Sequence, residues 1–139
     1  MRSRAALTLL LATTVACVHT PRVLPATRTA DLNERITLRA GESAAIEGTP
    51  ARITFERILS DNRCPVDVQC ITGGEARAGF LFDAEAGHTE PVTLDTDRNA
   101  SAVVAGYRIS LVSVSPPPRS TVRIDRRDYV VELTVALAR

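Results

Sequence analysis

The sequence predicts an all-β domain: an antiparallel β-sandwich of about seven to nine short strands with one disulfide-closed loop. Three observations carry that expectation. Apolar residues alternate with polar ones at a period of two in several short runs. Clusters of Gly, Pro, Asn and Asp separate those runs at roughly ten-residue intervals. No stretch sets apolar residues at the three-and-four spacing of an amphipathic helix. The 139 residues allow one domain, and 45% hydrophobic against 24% charged is a composition that folds.

The first 17 residues read as a processing signal. Arg2 and Arg4 form a positive start, and Ala5 to Val15 is an apolar run too short to span a bilayer as a helix. The run ends Thr14-Val15-Ala16-Cys17, which resembles a bacterial lipoprotein box with Cys17 as the lipidated residue, although Thr14 stands where the box more usually has Leu or Val; the alternative is an ordinary signal peptide cut near Ala16. Val18 rather than Asp follows, and by resemblance to lipoprotein sorting this implies, in a Gram-negative cell, an outer-membrane location, facing periplasm or surface. The anchor makes the membrane attachment, since each buried CH2 of an acyl chain contributes about 0.8 kcal/mol. Residues 18–33 carry Pro21 and Pro25 without a period and read as a flexible tether. The sandwich domain is expected over 34–139.

Strands follow in order. Ile36 and Leu38 alternate with Thr37 and Arg39. Ser43 to Ile46 returns after Gly41, and Gly48-Thr49-Pro50 makes a turn. In Arg52 to Leu59, Ile53 and Phe55 point inward until the phase slips at Arg57-Ile58-Leu59, which predicts a bulge or the end of the strand. Ala76, Ala78, Phe80 and Phe82 share one face of the next strand. Asp83 to Glu90, with Gly87 and His88, reads as a polar hairpin tip. Pro91 to Asp95 is a short strand near an edge, because Pro91 cannot donate to a ladder. Ser101 to Ala105 is a short strand; Tyr107 to Val114 is a stronger one, with Tyr107, Ile109 and Leu111 on one side. Ser115 and three prolines stop it, favouring a polyproline II stretch. Tyr129 to Leu137 closes the chain with the clearest alternation.

Such a set suits an immunoglobulin-like sandwich or a small barrel. The expected core is Ile36, Leu38, Ile46, Ile53, Phe55, Phe80, Phe82, Leu94, Ile109, Leu111, Val131, Leu133 and Val135.

The stretch from Asp61 to Cys70 organises the first half. Cys64 and Cys70 stand six positions apart. A regular helix would separate their Cα atoms by about 9 Å, beyond the roughly 7 Å that a disulfide spans. A bond between them therefore requires a segment folded back at Pro65. In an exported chain whose third Cys is lipidated, the two are natural partners. So short a closed loop stabilises by roughly 2 kcal/mol. A metal site of Cys64, Cys70 and His88 is the alternative, although it lacks a fourth ligand and the paired spacing of zinc motifs. A redox pair lacks the two-residue spacing of thioredoxin-type motifs.

Asp61-Asn62-Arg63-Cys64-Pro65, Val68-Gln69-Cys70-Ile71 and Gly74-Glu75-Ala76 together resemble a motif of uncharacterised small bacterial secreted proteins. The resemblance covers about Gly41 to Phe82 and, more loosely, the last strands. Thr72 stands where that group has Trp, and Asn62 where it has Ser. It implies a β-sandwich-like domain with a disulfide-closed loop, and carries no activity.

Several function classes recede on composition. All 17 basic residues are Arg, so amine chemistry is absent. Without residues 1–17 the net charge is −1, which lacks the basic surplus of a nucleic-acid binder. Neither His19, in the tether, nor His88 is placed by the sequence beside a nucleophile. Asp95, Asp97 and Asn99 match the first three ligand positions of an EF-hand loop. Ala100 replaces its Gly and Gly106 its final Glu, so that motif fails and only a looser calcium site stays open beside a solvated turn. Residues 119–128 carry four Arg against Asp125 and Asp128, either a solvated loop or an anion-facing one.

The resulting expectation is a non-catalytic cell-envelope lipoprotein without a cofactor. It would be a binding or structural module whose partner is an envelope protein or polymer. Asp61, Arg63, Asp67 and Gln69 are its candidate binding loop. Arg63 and Asp67 are expected to be exposed, so that Arg63→Ala abolishes capture and spares the melting temperature. A protease inhibitor presenting the closed loop and a metal-binding envelope protein (calcium or Cys-based) are the alternatives. The sequence does not fix an oligomeric state.

Overall fold

A computed structural model describes residues 27–139. The leader, Cys17 and most of the tether lie outside the described residues. Among those described, the chain forms nine strands and no helix. They are β1 (Thr27–Ala30), β2 (Arg35–Arg39), β3 (Ser43–Ile46), β4 (Arg52–Asp61), β5 (Ala76–Glu85), β6 (His88–Asp95), β7 (Ser101–Val104), β8 (Tyr107–Ser115) and β9 (Val130–Leu137). Two sheets result, one of order β1-β3-β4-β5-β6 and one of order β2-β9-β8-β7. The chain is thus a sandwich of two open sheets rather than a closed barrel.

Alternation decides which faces meet. All thirteen residues expected in the core are buried, in one cluster that lies between the sheets. Phe55 and Phe80, cross-strand partners on β4 and β5, pack with ring centroids 5.5 Å apart. The cluster also takes in Ala30, Ala44, Ala51, Ala76, Ala78, Val92, Val114 and Tyr129. Small Ala side chains give little periodic signal, although their positions follow the same alternation.

The slip read at Arg57-Ile58-Leu59 is real. The β4–β5 register shifts between Phe55 and Arg57 and again between Ile58 and Ser60. From Glu56 to Asp61, β4 is paired with β5 alone, because β3 ends its pairing at Thr54. A similar shift between Leu111 and Ser113 moves the inward phase of β8 onto Val114. Strict alternation from Tyr107 misses that step.

Three expectations change. Thr27–Ala30, expected in the tether, is a strand, and it pairs in parallel with β3 (Thr27 with Ser43, Ala30 with Ile46). Backbone pairing needs no apolar pattern here; only Ala30 is buried. The polar tip over Asp83 to Glu90 is smaller than expected, since β5 runs to Glu85 and β6 starts at His88. The proline run begins with a cis Ser115–Pro116 peptide and leads into a short bridge between Arg119 and Val122. Pro91 sits on the edge strand β6, where its missing N–H costs no ladder bond.

Candidate functional site

The candidate site is the loop from Asn62 to Glu75, which joins β4 to β5, together with the 116–129 connector against which it lies. Cys64 and Cys70 are bonded, with Cα atoms 6.0 Å apart. The Val68 N–H donates to the Pro65 carbonyl (3.3 Å), which closes the fold-back that the six-residue spacing requires.

Arg63 fastens this loop to the opposite sheet. Its Nε donates to Asp61 Oδ1 (2.8 Å) and Nη2 to Asp61 Oδ2 (2.7 Å), a bidentate pair. Nη1 then reaches the Val114 carbonyl (2.5 Å) and Nη2 the Pro116 carbonyl (2.8 Å). The Tyr129 hydroxyl donates to Asp61 Oδ2 (3.0 Å). One guanidinium thereby ties the end of β4 to the end of β8, and one carboxylate ties it to the start of β9. The Asp61 side chain is 9% exposed and that of Arg63 15%. The expectation that Arg63 is exposed is therefore corrected, and Asp61, named with it in the candidate binding loop, is covered too. Both are fixed inward, and their role is to hold the loop.

Burial alone would raise the Asp61 pKa, but the side-chain and backbone bonds from Arg63 and the bond from Tyr129 outweigh it and hold the carboxyl below its ordinary value. Burial, and then the bond to Asp61, push the Tyr129 phenol up.

Asp67 stays at the surface and accepts from Ser120 through both the backbone N–H (2.9 Å) and the hydroxyl (2.7 Å). Those bonds hold its carboxyl below the usual range. The Val66 N–H donates to the Pro118 carbonyl (3.0 Å). Gln69 is exposed. Past the second cysteine, Gly74 packs directly on the Asn62 backbone; a Cβ there would lie 1.5 Å from the Asn62 carbonyl oxygen. Only glycine permits that approach.

The loop is therefore fixed from within, and its exposed residues include three large apolar ones beside Asp67, Gln69 and Thr72. Val66, Val68 and Ile71 are exposed, Ile71 fully so at 104%. Sequence reading singled out the charged residues of this loop and passed over these three.

The metal alternative loses its ligand set. Cys64 and Cys70 are consumed by the disulfide, and His88 sits at the far end of β5, opposite Glu85. Ten strand residues, about 30 Å, separate it from the loop. Asp95 is buried and closes its own turn. Its Oδ1 accepts from the N–H groups of Asp97 (3.0 Å) and Asn99 (2.9 Å), and its Oδ2 from Asn99 Nδ2 (2.9 Å). These bonds, led by the Asn99 backbone, lower its pKa. Asp95, Asp97 and Asn99 thus build a hydrogen-bonded turn. Among the described residues no three His, Cys, Asp or Glu are gathered to hold a metal ion.

No family model matches the chain, and neither a curated protein nor a solved structure is significantly similar to it.

Proposed function

We propose that this chain is a non-catalytic binding module of the bacterial cell envelope. It is held to the membrane through lipid on Cys17 and uses the outer face of the disulfide-closed loop as its contact surface. One observation carries the reading. The loop is immobilised by the disulfide, by Arg63 and by Asp67, yet it turns Val66, Val68 and Ile71 to solvent. Exposed apolar side chains on a loop held at several points suit recognition of a protein surface, because little ordering entropy remains to be lost. The loop reverses between Pro65 and Val68. That shape does not offer an extended backbone to a protease cleft, which favours a binding module over an inhibitor.

The test is cross-linking in envelope extract with the chain and with its Val68→Asp/Ile71→Asp variant. Both positions are exposed, so the variant keeps its melting temperature. A cross-linked partner that disappears with the variant supports the reading; the same partners at the same yield would sink it. Inhibition of a protease that is lost in the variant would put the inhibitor in its place. Intact mass of membrane-extracted protein tests the anchor, which requires acyl mass on Cys17.

A further inference from the structure

A groove of about 820 Å³ runs between the bulged end of β4 and the connector that leads into β9. It shares Asp61 and Tyr129 with the network under the loop, but Val66, Val68 and Ile71 are not among the residues that line it. Its volume lies within the roughly 300–1,000 Å³ of small-molecule sites.

The lining mixes two chemistries. Ile58 and Leu59 from β4, with Val122 and Ile124 from the connector, are apolar. Ile58 and Ile124 are packed on the core, while Leu59 and Val122 are exposed. The connector also contributes Arg123, Asp125, Arg126 and Arg127. Arg127 is paired with Asp125 at 3.2 Å. Asp61 is already neutralised by Arg63. Arg123 and Arg126 form no ion pair among the described residues; Asp125 also lines the groove and acts on both Arg126 and Arg127, so the three arginines leave a basic surplus rather than an uncompensated pair.

We propose that this groove binds an anionic amphiphile. Its alkyl chain lies along Leu59 and Val122, and its phosphate or carboxylate head is held by Arg123 and Arg126. Charge complementarity selects the head, since guanidinium forks match these anions in geometry as well as in sign. Apolar burial of the chain supplies the remaining affinity. An extended peptide is the competing occupant, because β4 lacks a second neighbour from Glu56 onward. The two register shifts within that stretch break the even edge that an added strand needs, and so favour the amphiphile. The proposal does not depend on the exposed loop residues being a contact surface.

The test is calorimetric titration of the chain carrying Cys17→Ser, which removes any attached lipid. The probes, kept below their micelle concentrations, are dodecyl phosphate, dodecyl phosphocholine and inorganic phosphate. Dodecyl phosphate is expected to saturate at one molecule per chain. Dodecyl phosphocholine should bind about tenfold more weakly, and inorganic phosphate weaker still. Arg123→Glu/Arg126→Glu should also weaken dodecyl phosphate about tenfold. Val122→Asp, at an exposed position, should weaken it without altering the melting temperature. Equal binding of the two amphiphiles, indifference to the arginine substitutions, or no saturation would overturn the proposal. Phosphate binding as tightly as dodecyl phosphate would reduce the groove to a plain anion site and overturn it too.

Discussion

Two Asp-x-Arg segments, Asp61-Asn62-Arg63 and Asp125-Arg126-Arg127, have the same local design and opposite weight in the fold. In each, the Arg backbone N–H and its Nε donate to Oδ1 of the Asp two residues earlier. There the likeness ends. At the first, the remaining guanidinium nitrogens reach the carbonyls of Val114 and Pro116, and Tyr129 adds a bond to the carboxylate. At the second, the side chains stand in solvent, Arg127 at 90% exposure. The same short motif is a clamp between the sheets in one place and, in the other, a solvent-exposed pair that joins nothing distant among the described residues. The difference comes from chain more than fifty residues away.

The largest expected effect comes from breaking the clamp. Arg63→Ala leaves the Asp61 carboxylate and two carbonyls without their partner, and should cost about 3 kcal/mol in urea unfolding. Arg63→Lys keeps the charge and loses the fork, so it should fall between wild type and Ala. A change in the Arg63→Ala midpoint too small to measure would mean that the loop is held by its disulfide alone.

A second contrast concerns two neighbouring glycines. Gly74→Ala drives a Cβ into the Asn62 backbone, whereas a Cβ on Gly73 meets nothing within 4 Å. Gly74→Ala should destabilise by roughly 2 kcal/mol, as overpacking does, while Gly73→Ala should be near neutral. Equal effects would show that the loop has slack.

Acid gives a third effect. The folded Asp61 pKa lies below its ordinary value near 3.8. Its contribution is therefore present above that pH and is lost as pH falls through the lower, folded value. Asp61→Asn should flatten the acid limb of stability against pH. Tyr129 works in the opposite sense: its raised folded pKa makes its contribution complete below the unfolded value near 10 and lost as pH rises through the folded one. Tyr129→Phe should flatten the alkaline limb. The smallest effect is at the exposed pair, where Arg127→Ala should leave the melting curve where it was; a clear shift would erase the contrast between the two segments.

Much of the sandwich was legible because its signal is local. Ile53 and Phe55 on β4, or Val131, Leu133 and Val135 on β9, declare their face through their neighbours, and the slip at Arg57 to Leu59 announced a bulge or a strand end, between which the pairing with β5 decides. Val114 did not, because the irregularity at Val112 inverts the phase only when β8 is laid against β9. The disulfide was legible from spacing and from the expected compartment. The fate of Arg63 was not. An Asp and an Arg beside a cysteine loop look like a binding surface until the carbonyls of Val114 and Pro116 arrive, and no residue near Arg63 announces them. Ile71 shows the converse: an Ile between Cys70 and Thr72 gives no period that would mark it as outward.

The parallel pairing of β1 with β3 also sets a direction of travel. Thr27 lies level with Ser43, and Ser43 with Thr54, while β4 runs on from there to Asp61. The backbone therefore enters β1 from the side on which the closed loop and the arginine connector stand. Residues 18–26 can stretch across roughly 30 Å at most. A chain moored at Cys17 would hang with that side toward its mooring and the β5–β6 turn pointing away. The short leash would thereby choose which end of the molecule meets the bilayer first.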